Sequence, residues 1–480
     1  MVIDHIFISA SPGEVRIAEL AAGRLAGLTV HRAGAESRVG DIYLGRVEAV
    51  IHNLQAAFVD IGEARSGFLA LPEVRPNRDS VAEDKIGDYL AEGDAVLVQV
   101  QRDAEEDKGA KLTMRVGVSG RDLVYTPSSS GISISRRISD DDERQRLKAA
   151  VQAVSSDDDG GFIVRTAAAE AEDDELANEA TRLRGRWAEI EAARDQGKAP
   201  ACLFREVEPA CRVLREHGGA DLESIVVDDA ALFSRMQAFA NQEMPDLLEV
   251  LRHHADPAPL FGVEGIEDLI DAALDTYVPL ASGANLLISE MPALTAIDVN
   301  TGSADFGGRE NTNTEVNKEA AVEIAWQIRL RNLSGLLVVD FVSMRRHENQ
   351  QAVQDAFHRA LAGDPLHPNL VGFTRLGLAE MTRRRQGASL QELLCGGPAL
   401  PVRSPESTAL AALRGALAEA AITRSSNYVV EVHPNVADAL ANSFDDAVVE
   451  TRERLGGNLD IVAVAEMPAD IFNVRTGTDA

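Results

Sequence analysis

Cysteine is scarce: Cys202, Cys211 and Cys395 are the only three in 480 residues, and none has a partner at CxxC spacing. That excludes a disulfide framework, gives zinc no ligand set, and fits a reducing, cytoplasmic setting. Long apolar runs are missing as well. No stretch of about 18 residues is continuously apolar, so no membrane span is expected. The opening Met1-Val-Ile-Asp-His-Ile-Phe-Ile has neither a basic n-region nor a small-residue cleavage site, which predicts no secretion signal. There is no GxxxxGK[ST] loop, which excludes P-loop nucleotide hydrolysis. The ten histidines form no spaced metal motif, and no fixed-period repeat is present.

Positive charge is the other shortage. Forty-seven basic residues against 77 acidic ones give a net charge of −30. Taken alone, this argues against a nucleic-acid binder, since phosphate binding relies on cationic surface. The distribution qualifies the sum. Acids bunch at Asp140–Glu143, Asp157–Asp159 and Glu170–Glu175, while bases gather at Arg136-Arg137, Arg329 and Arg331, Arg345-Arg346 and Arg383–Arg385. Each run can be read as a solvated face, and their segregation leaves room for a local basic groove.

The composition, 45% hydrophobic and 26% charged, is that of a soluble globular protein, and the length is too great for one core. Residues 1–34 read as a strand, a turn at Ser11-Pro-Gly13 and two more short strands. From Gly40 the pattern is all-β: 41–51, 56–62, 67–71 and 93–100 are short strands separated by Gly and Asp turns, predicting a small barrel. Residues 115–210 are mixed, with a strand at 160–166 and a helix carrying Leu176, Leu183, Trp187 and Ile190. Segment 211–275 alternates strand and helix signals, and 284–385 is α/β. Gly396–Pro401 is a breaker-rich linker, and a small αβ unit follows from about Glu406.

Within the α/β segment, Thr295-Ala-Ile-Asp-Val-Asn-Thr-Gly302 and Leu336-Leu-Val-Val-Asp-Phe341 each end an apolar run on an acid. Between them Val316, Ala320, Ile324 and Ile328 recur every four positions. The Thr312-Asn313-Thr314 cluster supplies N-cap candidates and Gly335 a terminator. Strand–helix–strand of these lengths predicts a parallel crossover, placing Asp298 and Asp340 at one carboxyl edge, where ligand sites of α/β sheets gather. Asn300, two residues past Asp298, points the same way in an extended chain. Paired carboxylates repel unless a cation neutralises them, and oxygen ligands favour magnesium or manganese over zinc. The alternative is that both acids merely cap turns. The loop Thr301–Gly308 suits close backbone approach to phosphate. Phe58 and Phe68, on neighbouring predicted barrel strands, are candidates for stacking bases or for core packing, and Lys108 could reach a backbone phosphate.

Asp298-Val-Asn300, Asn317-Lys-Glu-Ala-Ala321, Gln327-Ile-Arg-Leu-Arg331 and Val339-Asp-Phe341 resemble the catalytic region of the RNase E/G endoribonucleases. Pro12–Arg16, Gly45–Leu71, Ile134–Ile138, Val164–Thr166, Phe373–Gly377 and Glu380-Met381 extend the resemblance over nearly the whole chain. It implies an α/β multidomain fold: an RNase H-like subdomain (1–35 and 211–275), an inserted OB-type RNA-binding barrel (36–114), a 5′-end sensor (115–210), a DNase I-like catalytic region (276–395), a linker (396–408) and a small C-terminal αβ domain (409–480). It also implies magnesium-dependent cleavage of single-stranded RNA, in processing or decay, leaving 5′-phosphate and 3′-hydroxyl ends. By the same resemblance, Asp298 and Asp340 hold magnesium (manganese being a substitute) and Asn300 orients Asp298. Phe58, Phe68 and Lys108 grip RNA, while Gly120, Val124, Arg165, Thr166 and Arg375 surround a 5′-monophosphate.

Three departures stand out. The family's CPxC zinc link reads Leu394-Cys-Gly-Gly-Pro398 here, so any homo-oligomer is expected to lack a shared zinc. Ser343 replaces a common second acid in Asp-Phe-x-Asp. In length the chain is nearer the family's short members. An RNA-binding paralogue of weak or no activity is the competing expectation.

Overall fold

The computed structural model describes residues 2–33, 37–75, 84–104, 108–155, 160–217, 221–397, 402–423 and 425–477. The acidic run Asp157–Asp159, the side chain of Glu170 and the Pro398–Pro401 part of the expected linker lie outside the described residues. The chain forms two compact units, one of residues 1–35 with 220–480 and one of residues 36–219.

The unit of residues 36–219 holds a closed five-stranded barrel. Strand Ile42–Ile51 pairs with Ala56–Asp60 on one side and Ala95–Arg102 on the other, and Gly67–Ala70 and Lys111–Thr113 complete the ring. Val47, Ala57, Val59, Leu69, Val96, Val98, Val100 and Leu112 turn inward and fill the barrel. Beside it in sequence, a four-stranded sheet (118–119, 123–126, 131–134, 161–164) carries helices Asp141–Ala153 and Asp173–Gln196. Leu147, Val151, Phe162, Leu176, Leu183 and Ile190 form its core, with Trp187 packed at the margin.

The other unit contains three sheets. The N-terminal one runs Leu251–His253, Ser224–Val227, His5–Ser11, Glu14–Ala21, Arg24–Arg32, with the first two strands parallel to the third. The C-terminal one is three-stranded and backed by helix Pro405–Ile422. Between them in sequence lies a six-stranded sheet: β1 (Tyr277–Pro279), β2 (Asn285–Glu290), β3 (Thr295–Asn300), β4 (Gly335–Asp340), β5 (Asn369–Phe373) and β6 (Leu378–Arg383), in the order β1-β2-β3-β4-β6-β5.

Helix α1 (Arg309–Leu330) connects β3 to the parallel β4, and α2 (His347–Leu361) follows β4. Ile297, Val299, Leu337 and Val339 alternate onto the helix side and meet Val316, Ala320, Ile324, Ile328, Val353 and Phe357. Truncating one such fully buried side chain, Ile324 for instance, costs about 2–5 kcal/mol.

The helix ends differ from the sequence expectation. Helix α1 begins at Arg309 with Gly308 as its cap, and Thr312, Asn313 and Thr314 are buried inside its first turns. Thr312 and Asn313 are drawn inward because their side chains hold loops, as described below, while Thr314 Oγ1 donates to Glu310 O within the helix. Gly335 does not end the helix but opens β4, after a C-cap at Arg331.

A buried ionic cluster fastens the C-terminal helix to the N-terminal sheet. Glu14, with its side chain 2% exposed, accepts from Arg32 Nε at 3.2 Å and Arg414 Nη1 at 2.6 Å. Arg32 also donates to Ser407 Oγ, and Arg16 forks onto Glu267 at 2.8 and 3.1 Å. Burial, with Arg16 alongside, pulls Arg414 down to about 10, so it remains charged at neutral pH. Removing the Glu14 charge leaves the guanidinium groups packed against it without their shared buried acceptor. Glu14→Gln is therefore expected to cost about 3–5 kcal/mol; urea unfolding monitored by circular dichroism measures it, and a loss within error of zero would rule out a structural role for the cluster.

Candidate active site

Strands β3 and β4 pair in parallel with Asp298 directly opposite Asp340. Adjacent strands lie about 4.8 Å apart and opposed residues share a face, so the two carboxylates project side by side. Asp298 is half-buried and Asp340 exposed. Asn300 Nδ2 donates to Asp298 Oδ2 at 2.8 Å, fixing that carboxylate's rotamer. Among the described residues neither acid has an arginine or lysine partner, and no group of three or more His, Cys, Asp or Glu side chains converges anywhere. Two adjacent, uncompensated carboxylates make an oxygen-only donor set. That fits a hard divalent cation such as magnesium, which commonly takes one or two protein carboxylates and keeps several waters.

Side chains that the sequence reading did not assign to the site set this edge. Asn317, 0% exposed, donates to Val342 O at 2.7 Å and accepts from Val342 N at 3.0 Å. Asn313 Nδ2 donates to Ser343 O at 2.8 Å. Glu310 accepts from the backbone N–H of Arg345 and Arg346 and from Asn349 Nδ2. The chain leaving Asp340 is thus tied to α1 at successive points. Thr312 Oγ1 accepts from Phe306 N and so holds the glycine loop that follows β3. In that loop Gly302 has φ +52°, and a Cβ there would collide with Gly283 O. The available signal was polar Asn313 and Asn317, four apart, on a helical stripe that is otherwise apolar.

In the other unit, Phe58 and Phe68 face each other across the barrel strands with ring centroids 5.9 Å apart. They line a cavity of about 410 Å³ together with Lys108, Arg102, Asp103, Gly109 and Lys111. Phe58 remains 36% exposed at its mouth. The structure therefore brings all three barrel residues named from sequence together and adds two cations, Arg102 and Lys111.

Of the five phosphate-pocket residues, four come together. Arg165 Nη1 donates to Gly120 O at 2.8 Å, Thr166 Oγ1 bonds Ser135 Oγ at 2.9 Å, and Val124 sits on the strand between Ser119 and Ile163. Arg375 belongs to the other unit, exposed on the turn between β5 and β6. Burial, then the Arg215 guanidinium, lowers the pKa of Arg165. Behind Gly120 lies Glu179, which accepts from Asp122 N at 3.1 and 3.2 Å; a Cβ at Gly120 would strike its carboxylate. Burial, reinforced by Asp122, pushes Glu179 up to about 7.

A mixed α/β sheet that sets an acid pair and an amide at its edge, in a chain with a separate barrel holding an aromatic–cationic cavity, has the parts expected of a phosphodiester-directed enzyme. Comparison with known proteins agrees. The model of the Ribonuclease E/G family matches residues 117–386. The chain is similar to Ribonuclease G of Salmonella typhimurium and of Escherichia coli, each 32% identical over 473 residues covering 95% of this chain and 96% of that protein. It is also similar to Ribonuclease E of Nostoc sp., 37% identical over 388 residues, 78% of this chain and 56% of that protein. The chain belongs to the ribonuclease E/G family.

Glu179 gives a pH test of the sheet around Arg165. Its folded-state pKa is raised, so the protonated form is favoured on folding. Stability from this group is full below about pH 4.5 and lost as pH rises through about 7. The effect is at most roughly 3 kcal/mol. Glu179→Gln mimics the protonated acid, so urea melts of variant and wild type should agree below about pH 5 and diverge above about pH 8, the variant being the more stable. Equal gaps at both pH values would show that Glu179 does not titrate in this window.

Proposed function

We propose that this endoribonuclease of the ribonuclease E/G family cleaves single-stranded RNA internally, in RNA processing or decay, with magnesium as its cofactor. The observation that carries the reading is the register of Asp298 against Asp340, with Asn300 bonded to the former. Asp298 and Asp340 would hold the ion, and manganese could replace it. When bound, magnesium supplies positive charge against the phosphoryl oxygens. Asn300 holds Asp298 in place. Water attacks phosphorus opposite the 3′ oxygen and the P–O3′ bond breaks, leaving a 5′-phosphate and a 3′-hydroxyl.

Phe58 and Phe68 offer ring faces to unpaired bases, and Lys108, with Arg102 and Lys111 beside it, meets the backbone. Arg165 and Thr166 receive a 5′-monophosphate, the guanidinium forking onto phosphate oxygens. Gly120 and Val124 shape that pocket, and the expected part of Arg375 in it is left out of this reading, because Arg375 belongs to the other unit. In this reading the barrel is of OB type, the N-terminal sheet RNase H-like and the six-stranded sheet DNase I-like. Any homo-oligomer forms without a shared zinc link, since Cys395 has no CPxC partner.

The test is cleavage of a 5′-monophosphorylated A/U-rich oligonucleotide with and without magnesium. Asp298→Asn should bind the RNA and fail to cut it, whereas Asn300→Ala should cut about 10- to 100-fold more slowly. If wild type and Asp298→Asn both bind and neither cuts, the protein is instead a non-catalytic RNA binder of the family. Separately, Arg165→Ala should remove the preference for 5′-monophosphate over 5′-hydroxyl ends; an unchanged preference sinks the sensor assignment alone.

A further inference from the structure

One face of the six-stranded sheet is covered by α1 and α2, and the opposite face carries the acids. On that second face a single row of opposed residues crosses five strands: Tyr277 faces Leu287, Leu287 faces Asp298, Asp298 faces Asp340, and Asp340 faces Leu378. Opposed residues in neighbouring strands project to the same side, so an aromatic and an aliphatic side chain lie in line with the acid pair. Both are open to solvent, Tyr277 at 48% and Leu287 at 40%. Tyr277 stands on the edge strand, two strand spacings, or about 10 Å, from Asp298. Its phenol makes no hydrogen bond among the described residues. Tyr277 borders a cavity shared with Val278, Val322 and Trp326, yet about half of it stays open to solvent, so core packing alone does not account for an aromatic residue there.

We propose that Tyr277, on a floor made by Leu287, is a base-stacking subsite of the catalytic sheet, which takes an unpaired RNA base close to the scissile phosphate. The proposal rests on the reading of Asp298 and Asp340 as the cleavage centre. A strand laid along the row would pass from the acids over Leu287 to the ring. Every nucleobase has a π-face, so such a platform positions RNA without reading its sequence. It also binds without cationic charge, which suits a chain of net charge −30. The subsite belongs to the same rigid sheet as the acids, so it fixes the distance between a stacked base and the bond to be cut. Tyr277 is in this sense a positioning residue.

The experiment is single-site cleavage of a single-stranded oligonucleotide in magnesium, with a set of substrates each carrying one abasic nucleotide near the cut. Tyr277→Ala should raise KM about tenfold on the intact RNA, and Tyr277→Phe should recover most of that, because stacking uses the ring and not the hydroxyl. On one abasic substrate, the one lacking the stacked base, wild type should fall to the level of Tyr277→Ala and the difference between them vanish. A Tyr277→Ala defect that persists unchanged on every abasic substrate marks a structural lesion and overturns the proposal, as does a variant indistinguishable from wild type on intact RNA. Quenching of 2-aminopurine placed at that position, measured on bound RNA in the Asp298→Asn background, reads stacking without cleavage. Absence of cutting by wild type therefore defeats the endoribonuclease reading, while absence of quenching defeats the subsite.

Discussion

The proposed cleavage centre and the subsite beside it depend on one register: Asp298 opposite Asp340 in a parallel strand pair. Side chains alternate along a strand, so a slip of one residue would send one acid into the helix-facing core and the other to solvent. The core prevents this. Ile297, Val299, Leu337 and Val339 alternate with the polar positions and pack against α1, so the apolar side of each strand fixes the side on which its acid emerges. Parallel pairing is itself a consequence of the crossover, because a 22-residue helix is long enough to return the chain to the same sheet in the same direction. Burial of aliphatic side chains thus determines the spacing of two charges that would otherwise repel.

The same economy governs charge elsewhere. Against a net charge of −30, two groups of cations have defined surroundings. Arg16, Arg32 and Arg414 are spent internally on Glu14 and Glu267, where they join the first strands of the chain to a helix about 400 residues later. Lys108, Lys111 and Arg102 line the aromatic cavity of the barrel. Net charge was therefore a poor guide to whether this protein handles nucleic acid, because surface carboxylates dominate the sum and the local arrangements decide binding.

The strand–helix–strand around the acids was legible because two periodicities, two along the strands and about four along α1, change at Gly-rich breaks. The barrel strands were legible for the same reason. Cap assignment failed at Thr312–Thr314 because a threonine or asparagine near a helix start looks the same whether it caps its own helix or reaches another segment. Here tertiary partners won: Phe306 and Ser343 claim the Thr312 and Asn313 side chains. The cations Arg102 and Lys111 were missed because they become neighbours of Phe58 and Phe68 only when the barrel closes. Tyr277 was missed for a related reason, since its alignment with Asp298 runs across the strands and no sequence period records it.

Ser343 shows how far such cross-chain ties reach. The family resemblance marks it as a lost acid, three residues after Asp340. Its structural duty, however, is carried by its backbone carbonyl, which accepts from Asn313, while Val342 before it is held on both sides by Asn317. Those bonds are indifferent to the side chain at 343. The loop can therefore keep Asp340 in register with serine there, and what the substitution removes is a negative charge near the acid pair. A lower local charge weakens attraction for a cation but also reduces repulsion of an approaching phosphodiester, and the two effects oppose each other. The substitution is thus compatible with an intact acid pair, whose geometry is set by α1 rather than by the residue that changed.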